Sequence, residues 1–577
     1  MPSAPFIPIP IGSAIPPHTP HAVSVSLPSW KATVGYEEGD PAIVSRMKCG
    51  YPRFFLHPLI VELSRVCEDH FANPEETCLL LPSRSVARRC QAFLDASSGP
   101  VPSRIVEWRV NPAIGPLDPE EEESLRPLTL FILLFPLAEW SIAKAYWQHT
   151  GEGISSRQAH HCLRLLTSLQ EEDRWVSHVE QYPLGRLGNP AVDHPPLPSL
   201  VSSVQEQERF IDERFGRNMD LARADEAKTA LRHRVARLAS PTCSIEHTFL
   251  YPCGMAAIFH AHRLLRLVHP DRRSVCLGFP YTDTLKLLQK WGPGCIHLPR
   301  GDEADLSRLT QLLEDKKEPP ILGVFCEFPS NPMLTSVDLT RVRHLADVHD
   351  FALVVDDTVG AGGANVEVLP WADMVVSSLT KAFSGDSNVM GGSLVINPRS
   401  PWAQVLLSLQ EQEYEDLLWD EDAIFLERNS RSFHDRLTQI NASTEALVDH
   451  LHATATNIYT LCYPKYSTPE VYARHSHRPH SPDLPGAPRG YGGLFSLVFH
   501  EQAQAICFFD ALECAKGPSL GTNFTLACPY TLLAHYQERD WAEACGVPGH
   551  LIRISIGLEE TSYLISVFSR ALDASLK

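Results

Sequence analysis

The chain has 577 residues, 44% hydrophobic and 21% charged, with a formal net charge of −19. That is the composition of a soluble globular protein too long for one hydrophobic core, so a large catalytic unit plus a substantial extra region is expected. So acidic a chain is poorly matched to nucleic acid or an anionic membrane; neither is expected as a partner, and any anionic ligand must be caught by local donors.

In chain order, residues 1–21 hold seven prolines and no Lys or Arg, so the basic part of a signal or transit peptide is missing. Residues 1–25 are predicted to be a disordered Pro-rich arm, and residues 26–204 an N-terminal extension whose modest charge and irregular pattern name no role. Its most apolar stretch, Leu128–Ala138, spans 11 residues and contains Pro136. That is too short to cross a bilayer, and a buried helix or strand is predicted. The fifteen cysteines include no CxxC pair, and some, such as Cys276 and Cys326, lie inside apolar runs. Reduced thiols in a cytoplasmic protein are the simplest reading.

From about residue 240 to 400, short β-branched runs alternate with amphipathic segments. Strands are predicted at Ser274–Gly278, Ile321–Phe328, Phe351–Asp357, Met374–Leu379 and Gly392–Asn397, with helices at Leu306–Asp315 and Leu339–His349. Such alternation signals an α/β layer with a mostly parallel sheet, in which polar residues just past the strands carry function. A long helical stretch is predicted over Ala403–Asp449. The Pro- and His-rich segment Arg474–Gly490 is predicted to be a surface loop, because His475, His477 and His480 lack a Cys or carboxylate at ligand spacing; no metal is expected. A strand at Tyr491–Phe499, a helix near Gln502–Ala515, a strand at Leu551–Ile556 and a last helix suit a smaller α+β domain. The resulting division is 205–425 for the large catalytic domain and 426–577 for the small one.

Three segments carry chemistry. In Ser377-Ser378-Leu379-Thr380-Lys381-Ala382-Phe383-Ser384-Gly385 a lysine follows an apolar strand, with hydroxyls before it and a Gly-rich turn, Met390-Gly391-Gly392, after it. Such an amine can join an aldehyde cofactor, and the hydroxyls suit a phosphate in the same pocket; a solvated surface lysine is the alternative. The strand Val354-Val355 ends in Asp356-Asp357, where one buried carboxylate can keep a pyridine nitrogen protonated and make the ring an electron sink. Asp356 is assigned that part, and Asp357 a cap or turn. In Tyr251-Pro252-Cys253-Gly254-Met255 a turn feeds a strong helix, whose free N–H groups can take a dianion that Gly254 allows to approach closely.

With these segments in this order, the chain resembles the Cys/Met-metabolism PLP-dependent family, the trans-sulfuration enzymes, over about residues 205–577. His21–Gly35 and Gly50-Tyr51-Pro52-Arg53-Phe54-Phe55 are similar to the N-terminal extension of its fungal members. The resemblance implies fold type I of the PLP-dependent transferases, aspartate-aminotransferase-like: a large α/β domain with a mixed seven-stranded sheet, a smaller C-terminal α+β domain and an N-terminal extension. It implies pyridoxal 5'-phosphate as cofactor, joined to Lys381, with Asp356 on the pyridine nitrogen and Gly254, Met255, Ser378 and Thr380 on the phosphate. It further implies Tyr281 stacked on the cofactor ring and catalytic together with Lys381, Asn331 near the ring's 3-oxygen, and Arg553 with Ser519 on the substrate. Small amino acids are the implied partners, and a homodimer or homotetramer with shared active sites the implied assembly.

Departures stand beside the likeness. Phe215-Gly216-Arg217 occupies the place of a Tyr-x-Arg segment given to the neighbouring subunit's phosphate, so Arg217 remains a candidate cofactor ligand without the phenol. Cys253 stands for a serine, and Asn523 for a glutamate common in bacterial relatives, which bears on the choice of nucleophile. The implied reaction is γ-replacement on O-acetyl- or O-succinyl-homoserine by cysteine, giving cystathionine. Sulfide or a carbon nucleophile, a γ-lyase outcome, and a non-enzymatic PLP-binding partner are the alternatives.

Overall fold

The structure, a computed structural model, describes residues 7–111, 127–167, 223–476 and 490–576, apart from 316, 318, 455 and 456. Apolar segments in the N-terminal region make a layer of their own. It comprises α1 (Trp30–Glu37), α2 (Pro58–Phe71), β1 (Glu76–Leu81), α3 (Arg84–Ser98), β2 (Arg104–Val110), β3 (Leu128–Pro136), α4 (Trp140–Thr150) and α5 (Ser156–Thr167). Strand β3 lies between β1 and β2, antiparallel to both. Its Leu130, Ile132 and Leu134 pack with Leu59, Leu63 and Leu163, while Leu133 and Phe135 pack with Val86, Leu94 and Tyr146. Both faces are covered, which is why the Leu128–Ala138 run is continuously apolar and not alternating.

The large domain begins, within the described residues, at α6 (Ala224–Ala239). Its strands are β4 (Thr248–Tyr251), β5 (Ser274–Leu277), β6 (Cys295–Leu298), β7 (Gly323–Glu327), β8 (Ala352–Asp356), β9 (Met374–Ser378) and β10 (Gly392–Ile396). They form one seven-stranded sheet in the order β4-β10-β9-β8-β7-β5-β6. The ladders from β9 to β6 are parallel, and β10 runs antiparallel to both β9 and β4. Along β8, Leu353 and Val355 enter one core cluster while Ala352 and Val354 enter the other, the two-residue period of a strand buried on both faces. The helix α7 (Gly254–Val268) covers one face with Ala257, Ile258 and Leu265, and α8 (Thr282–Lys290) lies beside it. The helices predicted around Leu306 and Leu339 are present as Glu303–Glu314 and Leu339–His349.

In the small domain, α9 (Phe433–Thr454) backs a five-stranded sheet of β11 (Tyr459–Cys462), β12 (Leu494–Phe499), β13 (Ala515–Lys516), β14 (Leu526–Pro529) and β15 (Leu551–Ser555), in the order β11-β12-β15-β14-β13. Phe495, Leu497, Ile552, Ile554 and Phe568 fill its core.

Three expectations change. The arm predicted to be disordered is, from residue 7, laid against the body: Val23 N–H donates to Ser387 O at 2.9 Å and Leu27 N–H to Lys516 O at 3.0 Å. Ala22, Val23, Val25 and Leu27 are buried, so apolar burial compensates the entropy that a free arm would keep. The long helix over Ala403–Asp449 is three helices, Ala403–Glu413, Asp420–Ser430 and α9. The first break presents two acids as ion-pair and hydrogen-bond partners: Glu415 accepts from Ser83 and Ser85, and Asp416 pairs with Lys228 at 2.9 Å. His475, placed in a surface loop by the sequence, ends a short helix (Pro469–His475) and is buried edge-on against Trp371 and Phe328. His477 and His480 lie outside the described residues. Among the described residues no group of His, Cys, Asp or Glu is arranged to hold a metal, and no helix is long and apolar enough to cross a membrane.

Removing residues 1–27 strips five buried apolar side chains, Ile15, Ala22, Val23, Val25 and Leu27, from the body, at roughly 1.5–3 kcal/mol for each large one. The expected result is a lower thermal unfolding midpoint than that of the full chain; superimposable melts would contradict the packing of the arm.

Candidate active site

The ends of β7 and β8 build the floor of a cavity of about 370 Å³. Glu327 and Asp356 are direct partners in that parallel ladder, so the pleat sends both side chains to one face. Glu327 accepts the main-chain N–H of Tyr281, and that of Asn331 at 2.9 Å; Asp356 accepts Thr358 N–H at 2.9 Å. Burial, and then the Asp356 charge, push the Glu327 carboxyl up to about 8, and burial raises Asp356 too. Two enclosed carboxyls at strand spacing do not both ionise readily, so the pair retains a proton near neutrality. Asp357 faces away from the cavity, accepts the Ser377 hydroxyl, and is pushed up to about 7 by burial. It caps no helix.

Lys381 follows β9 on the turn that leads to β10. Its Nζ donates to Tyr51 Oη at 3.0 Å and to Ser519 Oγ at 3.2 Å. The amine is thereby enclosed by hydroxyls from the N-terminal region and the small domain, and it is buried. Gly521, at φ +68°, makes this approach possible, since a Cβ there would lie 2.5 Å from Ala382 N and 3.1 Å from Lys381 Cβ.

At the other end, α7 starts at Gly254 directly beside Ser378: a Cβ on Gly254 would meet Ser378 Cβ at 2.8 Å. The start of α7 and Ser378 are thus neighbours, and Arg53 lines the same cavity; together they are a set of donors suited to a dianion. The Thr380 hydroxyl spends its one proton on Gly391 O at 3.2 Å while accepting Gly391 N–H at 3.1 Å. As placed it braces the turn and offers an anion no donor.

Arg553, on β15, is buried; Nη1 donates to Asn331 Oδ1 at 3.0 Å, and Nη2 to the carbonyls of Pro518 at 2.7 Å and Ser519 at 3.0 Å. The guanidinium lies 5.0 Å from the Tyr530 ring centroid, and both line the cavity. Tyr281 forms another wall, its phenol pushed well up by burial, by Tyr51 and by Asp283, so it stays neutral.

Lys381, Asp356, Gly254, Met255, Tyr281, Ser378, Thr380, Asn331 and Arg553, singled out from the sequence, therefore converge on one cavity, and Ser519 touches the Lys381 amine. Arg217 lies outside the described residues. Asn523 does not line the cavity: its amide accepts Arg436 Nη1 at 2.8 Å and donates to Asp386, a clasp between domains. Sequence reasoning gave no role to Glu327, Tyr51, Arg53, Thr358 or Tyr530. Glu327 ends a predicted strand, as Asp356 does, which was a usable signal; Tyr51 and Arg53 lie more than 200 residues before the large domain's other site residues, and only their segment was noticed.

The donor set fits pyridoxal phosphate: an enclosed amine for its aldehyde, a proton-retaining acid pair for its ring nitrogen, an aromatic wall, and a helix start beside a hydroxyl for its phosphate. Comparison with known proteins agrees. Residues 200–573 match the family described as Cys/Met metabolism PLP-dependent enzyme, and residues 59–155 match the fungal trans-sulfuration enzyme N-terminal domain. A cystathionine gamma-synthase-like enzyme of Amanita muscaria is 42% identical over 98% of this chain and 97% of its own. The cystathionine gamma-synthase of Neurospora crassa is 42% identical over 98% of both chains. Among solved structures, the cystathionine gamma-lyase from yeast is 26% identical, covering 60% of this chain and 85% of its own with a TM-score of 0.50. The fold and site are those of a PLP-dependent enzyme. The chain belongs to the Cys/Met metabolism PLP-dependent family.

A carboxyl raised by burial contributes stability that is fully present below its ordinary value, 4.5, and is lost as pH rises to about 8. In the cofactor-free chain, wild type should therefore lose stability relative to Glu327→Gln across that window, by up to about 1.4 kcal/mol per pH unit. Denaturant unfolding of both proteins at several pH values checks it; parallel curves would contradict a proton held at Glu327.

Proposed function

We propose that the enzyme replaces the γ-substituent of an O-acylated homoserine with the thiol of cysteine, giving cystathionine. The observation that carries the reading is one enclosed amine, Lys381, in a cavity shared with the fork of Arg553. Arg553 suits the α-carboxylate of the acylhomoserine, its plane fixed by Asn331 and the two main-chain carbonyls. Pyridoxal phosphate, when bound, supplies an electron sink for negative charge at the carbon bearing the substrate amine.

Lys381 Nζ is the group to take and return protons at the substrate carbons, and the Tyr51 and Ser519 hydroxyls orient it for both. Asp356 and Glu327 would hold the cofactor's ring nitrogen and keep it protonated. In the net reaction a γ-carbon to oxygen bond breaks, the acyl carboxylate departs, a carbon–sulfur bond forms at the same carbon, and the thiol proton passes to solvent. Val23, Val25, Leu27, Phe54 and Leu520 give the cavity an apolar wall, which disfavours water as the incoming group.

A zwitterionic nucleophile is supported by the cavity's charged lining residues. Glu37 on α1, whose carboxyl burial raises to about 7, and Lys286 on α8, 3.5 Å from Glu538, both line it, offering an acceptor to the ammonium and a cation to the carboxylate of a second amino acid, which sulfide would not use.

Incubation of the holoenzyme with O-acetyl- or O-succinyl-homoserine, with and without cysteine, and mass spectrometry of the products tests the reading. Cystathionine is expected; a 2-oxo acid irrespective of cysteine would make the enzyme a γ-lyase, and a product formed only with sulfide or a carbon nucleophile would replace cysteine. Lys381→Ala should lower turnover by at least about 10²-fold. Lys286→Gln should raise KM for cysteine and leave KM for the acylhomoserine within about twofold, since surface charges act weakly at a distance.

A further inference from the structure

Arg53 is the least explained charge in the structure. It belongs to the N-terminal region, in the turn Gly50-Tyr51-Pro52-Arg53, yet it is buried, at 4% exposure. Its Nη1 donates to Trp147 O at 3.2 Å. Among the described residues, Nε and Nη2 make no hydrogen bond. The nearest acid, Asp283, is 3.8 Å away, and its own Oδ2 is also without a hydrogen-bond partner. A guanidinium with two enclosed N–H groups unmet costs free energy that a protein retains where a ligand supplies the acceptors.

What shares the cavity with those N–H groups identifies the ligand chemistry. Arg53 lines the same cavity as Cys253, Gly254 and Ser378, that is, the start of a 15-residue helix. Two independent features, free N–H groups at a helix start and an unsaturated guanidinium, thus belong to the lining of one pocket. The turn is fixed in place: a Cβ on Gly50 would lie 2.4 Å from Phe55 Cβ, so the loop closes tightly on its own aromatic.

We propose that Arg53 is a phosphate ligand of the cofactor: this chain's N-terminal region supplies a fork of donors that completes the α7 phosphate cup. The neighbouring Tyr51, through its contact with Lys381 Nζ, then binds the opposite functional end of the same cofactor site, so a single turn of the N-terminal region touches both ends. Because phosphate recognition, not catalysis, is at stake, the effect is read in binding and not in rate.

The experiment titrates the full-length protein, resolved of cofactor, with pyridoxal phosphate and separately with pyridoxal, following the near-visible absorbance of the bound aldehyde. Arg53→Gln is expected to weaken pyridoxal phosphate binding by about tenfold or more while leaving pyridoxal binding within about twofold, the loss of a charge-assisted, two-pronged contact. Equal weakening of both ligands would assign Arg53 a purely structural part and overturn the proposal; so would unchanged binding of the phosphorylated form. If Arg53→Gln does not fold, Arg53→Lys keeps the charge and removes the fork. The ratio of pyridoxal phosphate to pyridoxal affinity must then fall, and an unchanged ratio overturns the proposal equally. Absence of any absorbance band in wild type would instead refute Lys381 as the site of attachment, a separate outcome from either.

Discussion

An amine inside a protein is tolerated only where its charge, or its proton, has somewhere to go. Lys381 Nζ meets this requirement with two neutral hydroxyls, Tyr51 at 3.0 Å and Ser519 at 3.2 Å. Neither is a carboxylate, so the amine is oriented by hydrogen bonds alone, without an ion pair to hold it away from a substrate. Those two hydroxyls come from opposite ends of the chain, on either side of the large domain that carries the lysine. The site therefore exists only when all three parts are packed together, and the glycine at 521 is the geometric condition for that meeting.

A second constraint runs across the floor. Glu327, Asn331 and Arg553 form a relay: the glutamate accepts the asparagine main-chain N–H, and the asparagine side chain accepts the arginine. The proton-retaining acid pair and the carboxylate-binding fork are thus held in fixed relation by one residue that is itself neutral. Asn331 takes one of the arginine's donors, and the Arg553 charge lowers the Glu327 carboxyl against the larger raising effect of burial.

Much of this was legible in the sequence because the large domain obeys its periods. Strands buried on both faces read as β-branched runs, and polar residues just beyond them, Asp356 and Ser378 to Lys381, are what a parallel sheet delivers to a ligand. The sequence was blind where pairing is non-local. Tyr51 and Arg53 lie more than 300 residues from Lys381 in the chain, and no window of periodicity joins them. The arm misled for a different reason: proline content signals a chain that cannot form regular structure, and the arm forms little, with one isolated bridge between Ala14 and Val25. Irregular backbone is not the same as unpacked backbone, and the buried valines at 23 and 25 decide the matter. The helical stretch expected over Ala403–Asp449 is helical but divided: its composition is helix-forming, while the first break is set by tertiary partners of Glu415 and Asp416 that lie in remote segments.

The arm's position also bears on how the site works as a whole. Val23, Val25 and Leu27 line the cavity, and the same stretch is hydrogen-bonded at Val23 to Ser387 of the large domain and at Leu27 to Lys516 of the small one. A wall tied to both domains cannot shift with one of them without breaking a main-chain bond to the other. It therefore gives the cavity an apolar side that depends on both domains, and a dry wall strengthens the charged contacts made within it. The N-terminal region thus contributes to the site in two physical ways, polar groups at its turn and excluded water along its arm, and both depend on the same burial of apolar side chains against the catalytic domains.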